Sequence, residues 1–301
     1  MRLSILKVLA YFDLFSYPLA SEEIRFFLDR ELPEVELQPW LDRLVTEKAI
    51  FRLQSFYSLH DNPLLAARRL KGNRHAGELL RIAEKGSRIL YQFPFVTGIG
   101  ISGSLSKHYA APDADIDYFI ITRANRLWIA RTFMHLFKKL TFLTGRQHWY
   151  CMNYYIDEEA LEIEEKNIFT ATELITLLPA CGNGSLTRFF DANDWVQAWL
   201  PQYRNRTRTA PVQTPAGWLK RNLERLFDNR FGDKLDDFFR RLTTRRWQKK
   251  EASSKRTGHG FRMSLKNDKH FSRPNPEMMQ KKILGNYQEK LADISTLCGE
   301  N

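Results

Sequence analysis

The sequence predicts an α+β fold: a small unit of helices and a hairpin, then a central strand-and-helix block, then a helical, basic C-terminal region. Three observations predict it. Helix-period apolar stripes precede two short strand-like runs in the first 62 residues, strand and helix patterns alternate over residues 95–160, and positive charge is concentrated in residues 204–273. A chain of 301 residues is long enough for two or three such units around a sizeable core.

The elements follow in order. Ile5, Leu6, Val8, Leu9 and Phe12 mark one helical face. This run follows Arg2 and imitates a secretion signal, but Lys7 and Asp13 interrupt it, so it reads as the first helix. Ser21, just after Pro18, is the expected N-cap of a helix over 22–28. A third helix over 35–48 carries Leu37, Leu41, Leu44 and Val45, and runs 50–53 and 56–59 read as a hairpin turning at Gln54-Ser55. Three helices followed by a hairpin resembles a winged helix in order, which closes the first unit at residue 62. Winged helices bind DNA or serve as protein-interaction modules. The third helix carries Glu34, Glu36, Asp42 and Glu47 against Arg43 and Lys48, a poor surface for phosphate. The resemblance therefore implies a protein partner or a scaffolding role.

Residues 63–94 read as a helical connector rich in Arg and Lys, stopped by Pro94. After the central block of 95–160, region 161–301 is expected to be helical. Pro179 and Gly182 break its first part, helices are expected over 216–229 and 233–247, a mobile loop over 248–276, and a final helix over 276–297. Residues 204–273 hold 20 Lys or Arg against 7 Asp or Glu, which accounts for the whole net charge of +11. Such a field attracts polyanions, RNA among them; the plainer alternative is a solvated helical face. Cys151, Cys181 and Cys298 are widely spaced, show no zinc pattern and fit free thiols in a reducing cytoplasm. No stretch approaches the ~18 to 20 apolar residues of a membrane span, so no membrane partner is expected.

The chemistry lies in the central block. Residues 96–102, Val-Thr-Gly-Ile-Gly-Ile-Ser, alternate as a strand packed on one face. Gly103-Ser104 marks a turn into a short helix over 105–110, and a second strand runs from Asp115 to Thr122. Asp115 and Asp117, two apart on a strand, would point to the same face. Neighbouring carboxylates repel unless a cation lies between them, and Mg²⁺ takes one or two carboxylates together with phosphate oxygens and water. Gly103 lets the backbone approach a ligand, the N–H groups that follow suit phosphate, Ser104 adds a hydroxyl, and Lys107 and His108 flank the loop, either as nucleotide contacts or as a solvated face.

Gly98, Gly100 and Gly103 also spell the dinucleotide-binding pattern. Ile99 and Ile101 argue that the strand continues through the first two glycines, too few apolar residues precede Gly98 for an earlier strand, and the ribose-binding acid belongs at the far end of the next strand. The remaining bland alternative makes Asp115 and Asp117 simple turn and strand-start residues.

Gly103-Ser104, a ten-residue spacer and Asp115-Ile116-Asp117-Tyr118 resemble the signature of the DNA polymerase beta-type nucleotidyltransferase superfamily. The resemblance covers about residues 95–160. It implies a mixed sheet flanked by helices and metal-dependent transfer of a nucleoside monophosphate from a nucleoside triphosphate to an acceptor hydroxyl. Carried onto this chain, it implies that Asp115 and Asp117 hold Mg²⁺ or Mn²⁺ and that Gly103 and Ser104 hold the triphosphate. Active members add a third carboxylate from a later strand. Here that strand, about 149–156, offers Asn153, with Asp157 and Glu158 at its end as looser substitutes. An amide cannot serve as general base, so the alternative is a degenerate relative that binds nucleotide or nucleic acid without transfer. Among weaker candidates, Asp113 reads as a turn former, Arg123 and Arg131 as ion-pair or phosphate-facing cations, and Trp149, Tyr150, Tyr154 and Tyr155 as core or base-stacking aromatics.

Overall fold

Apolar spacing in the first residues sets the start of the architecture. In the computed structural model, which describes residues 1–203, 211–252, 265–274 and 277–298, helix α1 (Arg2–Asp13) buries Ile5, Leu6, Leu9 and Phe12. Helices α2 (Ser21–Phe26) and α3 (Glu34–Thr46) follow, then the antiparallel hairpin of β1 (Phe51–Leu53) and β2 (Phe56–Ser58). Ser21 opens α2 and does not cap it. The Ala20 N–H instead donates to Glu23 Oε2 at 2.9 Å, a carboxylate reaching back over the first turn. Leu19, between α1 and α2, bridges Tyr57 of the hairpin. Helix α4 (Pro63–Tyr91) is capped by Asn62, whose side chain accepts from the Leu64 N–H at 3.1 Å.

The fold is α+β, with ten α-helices, a mixed six-stranded sheet and the small hairpin among the described residues. The large sheet contains β3 (Val96–Ile101), β4 (Asp117–Thr122), β5 (Cys151–Asp157), β6 (Leu178–Gly182), β7 (Leu265–Asn267) and β8 (Phe271–Pro274), in the order β6-β3-β4-β5-β8-β7. Among the named strands of the described residues only β4 and β5 pair in parallel, and α5 (Leu127–Thr141) makes the crossover that a parallel pair requires.

Three of the six strands lie beyond residue 160, so the expectation of a helical C-terminal region is corrected. That region does contain α6 (Ile168–Thr176), α7 (Ser185–Ala192), α8 (Trp218–Phe227), α9 (Arg230–Ala252) and α10 (Glu277–Cys298). However, Pro179, expected as a helix breaker, lies in the edge strand β6, where a missing N–H is tolerated. The loop expected over 248–276 is also corrected: α9 reaches Ala252, and β7 and β8 extend the sheet. Residues 204–210, 253–264 and 275–276, all parts of expectations above, lie outside the described residues.

Alternate residues of β4 serve opposite cores, as strand geometry dictates. Phe119 and Ile121 join the buried residues of α1–α3, α6 and α7, whereas Tyr118 and Ile120 join those of α4 and α5. The N-terminal unit therefore shares a core with one face of the sheet. No helix among the described residues is long and apolar enough to cross a membrane.

Candidate active site

The end of β3 and the start of β4 meet at one sheet edge because the two strands are antiparallel. The chain leaves β3 and turns at Gly103, where φ is +69°, a left-handed value that favours glycine. A side chain is excluded there for a second reason: a Cβ would lie 2.6 Å from Asp117 Oδ2. Next door, the Ser102 N–H donates to the Asp117 carbonyl at 3.0 Å. Ser104 is exposed and its hydroxyl caps nothing. It precedes a single 3₁₀ turn (Leu105–Lys107) where a helix over 105–110 was expected; His108, exposed and left-handed, ends it.

That turn is held from several sides. Ser106 Oγ donates to the Gly103 carbonyl at 2.8 Å. Lys107 Nζ donates to the same carbonyl at 3.1 Å and pairs with Glu173 of α6 at 2.8 Å. Lys107 is thus committed to the turn and to α6. Tyr17 of the N-terminal unit donates from its hydroxyl to the Lys107 carbonyl at 2.5 Å. On α4, Gly72 leaves room for the Tyr109 ring, which a Cβ would meet at 2.2 Å.

Asp117 opens β4, whereas Asp115 precedes the strand in an exposed position. Asp115 Oδ1 lies 2.5 Å from His148 Nδ1. Asn153 donates from Nδ2 to Asp117 Oδ1 at 2.5 Å. Register explains how it reaches there: Tyr118 faces Met152 and Phe119 faces Tyr154, which leaves Asn153 as the extra residue of a bulge. Cys151, opposite Asp117, donates to Asn153 Oδ1 at 3.1 Å, and Lys138 of α5 donates to Cys151 Sγ at 3.4 Å. Gly103, Ser104, Asp115, Asp117 and Asn153 are therefore gathered at one edge.

Burial and neighbouring acids disfavour the charged form of Asp117. Burial pushes the Asp117 carboxyl up to about 7; Asp115 and Glu173 add to the shift and Lys138 opposes it. Burial also pushes the Cys151 thiol up to about 11, with Lys138 opposing and the two aspartates adding. Among the described residues no three His, Cys, Asp or Glu side chains form a group that could hold a metal ion. The donor set here is two carboxylates and an amide. It fits a hard cation that arrives with phosphate oxygens and waters, not an ion caged by protein alone.

Several expectations are corrected or placed elsewhere. Asp157 and Glu158 cannot stand in for Asn153. Asp157 is fully buried at the opposite edge, opposite Thr122, six residues or about 20 Å along β5 from Cys151. It accepts from the N–H groups of Asn125 and Glu159 and faces His270. Glu158 pairs with Arg188. Arg123 pairs with Asp228, and Arg131 is buried beside the Trp128 and Tyr155 rings. Asp113 sits in a turn closed by the Ala114 N–H and the Ala111 carbonyl. Trp149, Tyr150, Tyr154 and Tyr155 belong to the cores. Gly98 and Gly100 lie within β3, where a Cβ would strike Ser185 Oγ at 2.4 Å and Leu177 Cδ1 at 2.9 Å. They admit close packing and form no phosphate-binding turn.

Glu173, His148, Cys151 and Lys138 were not anticipated. None stands in a recognisable spacing with the two aspartates, and each is delivered by another element. A cavity of about 260 Å³ lies elsewhere, between α1, α6 and α10, and none of the predicted site residues lines it. Compared with known proteins, the chain matches no family model, no curated protein and no solved structure.

Proposed function

We propose that this chain is a metal-dependent nucleotidyltransferase, which moves a nucleoside monophosphate from a nucleoside triphosphate to an acceptor hydroxyl. One observation carries the reading. The two halves of the signature meet in space, with the bare backbone of Gly103 against the Asp117 carboxylate and Asp115 beside it. The mixed sheet, with its parallel β4–β5 pair, supports the superfamily assignment. So does the delivery of Asn153 to Asp117, at the place where the resemblance implies a third carboxylate.

In this account Asp115 and Asp117 hold Mg²⁺ or Mn²⁺, whose charge offsets that of the triphosphate and of the reacting oxygens. Ser104 and the backbone after Gly103 bind the phosphates, and Asn153 orients Asp117. The acceptor oxygen attacks the α-phosphorus in line, the bond to the bridging oxygen breaks, and pyrophosphate leaves. Because Asn153 cannot take a proton, the acceptor proton passes to a substrate phosphate or to water. The N-terminal unit, read as winged-helix-like, acts as a scaffold; the Tyr17 bond to the Lys107 carbonyl supports this role. A protein partner on its acidic third helix remains part of the proposal.

The test is pyrophosphate release from each ribonucleoside triphosphate in Mg²⁺, with total RNA or cell extract as acceptor source. Asp115→Asn is expected to cut release at least about a hundredfold while melting like the unmutated protein. Equal release from the two proteins contradicts the mechanism.

A second reading is favoured by Asn153 itself, an amide where the resemblance implies an acid. Here the site binds nucleotide without transfer, and the basic segment 204–273 holds RNA or another polyanion. Nucleotide binding with no pyrophosphate release, and RNA affinity that falls steeply with salt, would select it.

A further inference from the structure

Helix α8 packs in an unusual sense. Lys220 is buried against the body of the protein, its Nζ donating to the carbonyls of Tyr91 at 2.8 Å and Val96 at 2.5 Å. One turn on, Glu224 accepts from the Phe95 N–H at 2.8 Å. Charged side chains thus face inward, while Trp218, Leu219 and Leu226 face out, each more than half exposed. Helix α9 repeats the pattern. Asp236 is buried and accepts from the Ile129 N–H at 2.8 Å, while Phe231 and Phe238 are more than half exposed. Phe231 stacks on Phe227 and joins the two helices at their corner. Large apolar side chains on two consecutive helices are costly to leave in water and mark an interaction surface.

The charges around this surface identify its occupant. Arg221, Arg225, Arg230, Lys234 and Arg241 are exposed among the apolar residues. The acids of the same helices are engaged elsewhere: Asp228 and Asp233 pair with Arg123 and Arg126, Asp237 pairs with Arg240, Glu251 accepts from the Leu265 N–H, and Glu224 and Asp236 turn inward. A second copy of the chain would bring the same cations against themselves. Segment 253–264 of this chain carries Lys255, Arg256 and Arg262 and no acid, so it is no complement either. RNA would meet the cations and stack on Trp218, Phe231 and Phe238, but it gains little from Leu219 and Leu226, which an acyl boundary takes up together with the rings. Aliphatic, aromatic and tryptophan side chains interleaved with Arg and Lys match a bilayer with anionic headgroups. Apolar groups there enter the acyl boundary and cations stay at headgroup level. We infer that the outer faces of α8 and α9 dock on an anionic lipid surface. The protein would lie on the membrane and not cross it. The absence of a spanning helix among the described residues agrees with the expectation of no membrane span, and the proposal concerns surface contact only.

The experiment is vesicle co-sedimentation of the full chain, with phosphatidylcholine alone and with added phosphatidylglycerol. The expected result is binding to the anionic vesicles only, weakened by salt. The surface variant Leu219→Glu/Leu226→Glu, melting as the unmutated protein does, should reduce the bound fraction roughly tenfold or more. Absence of binding to anionic vesicles, or equal binding by the variant, overturns the inference. A solution dimer that the variant dissociates would assign the surface to a second copy. RNA binding that the variant abolishes, without vesicle binding, would assign it to nucleic acid.

Discussion

Asp117 shows most clearly what the proposed site demands of single residues. Its carboxyl is pushed up to about 7, so the folded state holds the proton more tightly than the unfolded chain does. Stability should therefore fall as pH rises from about 4 to about 7, the interval in which the unfolded chain has released the proton and the folded chain has not. Above that interval Asp117→Asn, without divalent metal, is expected to raise stability by roughly 1–3 kcal/mol. Thermal melts at pH 8 check this, and added Mg²⁺ with nucleotide should stabilise only the unmutated protein. A variant less stable than its parent at pH 8 would show that the carboxylate is satisfied without a cation. At this scale much was legible. Gly103, Ser104, Asp115 and Asp117 lie in one short stretch, so local spacing was enough to join them. Asn153 was legible as the polar residue inside the expected later strand, but the bulge that brings it to Asp117 was not. Glu173 and His148 were not, since no local pattern ties a residue of α6 or of the approach to β5 to a particular carboxylate.

At the scale of elements, the turn after β3 depends on parts that are distant in sequence. The N-terminal unit supplies Tyr17, α4 supplies the space at Gly72, and α6 supplies Glu173. Tyr17→Phe removes one hydrogen bond to that turn. It should cost about 1 kcal/mol of stability in denaturant titration and lower nucleotide affinity severalfold, because the phosphate-binding backbone loosens. Unchanged affinity would separate the unit from the site. Long elements were readable: α4 has a cap, an apolar stripe and Pro94 beyond its end. Strands β6, β7 and β8 were not. Leu-Pro-Ala-Cys-Gly and Leu-Lys-Asn are too short to show a period, and what makes them strands is pairing with β3, β5 and each other. Pairing of that kind is a tertiary fact with no local signature.

For the molecule as a whole, the shared core is the decisive feature. Leu9, Leu41 and Tyr57 of the N-terminal unit belong to the same buried cluster as Phe119 and Ile121 of β4 and Phe189 of α7. The boundary near residue 62 is therefore one of sequence pattern and not of packing. Thermal unfolding should show one cooperative transition, and Leu41→Ala, at a fully buried position, should shift all of it by about 2–5 kcal/mol. Two transitions, only one of them moved, would mean that the N-terminal unit folds alone. Net charge was legible from composition, but its arrangement was not: the sequence placed cations in 204–273, and the structure adds that α8 and α9 interleave them with exposed apolar side chains. The most direct measurement is transfer of label from α-labelled nucleoside triphosphate in Mg²⁺, with the unmutated protein and Asp117→Asn side by side. Labelled acceptor is expected with the first and none with the second. Label that forms equally with both would contradict the assignment of this edge of the sheet as a nucleotidyltransferase site.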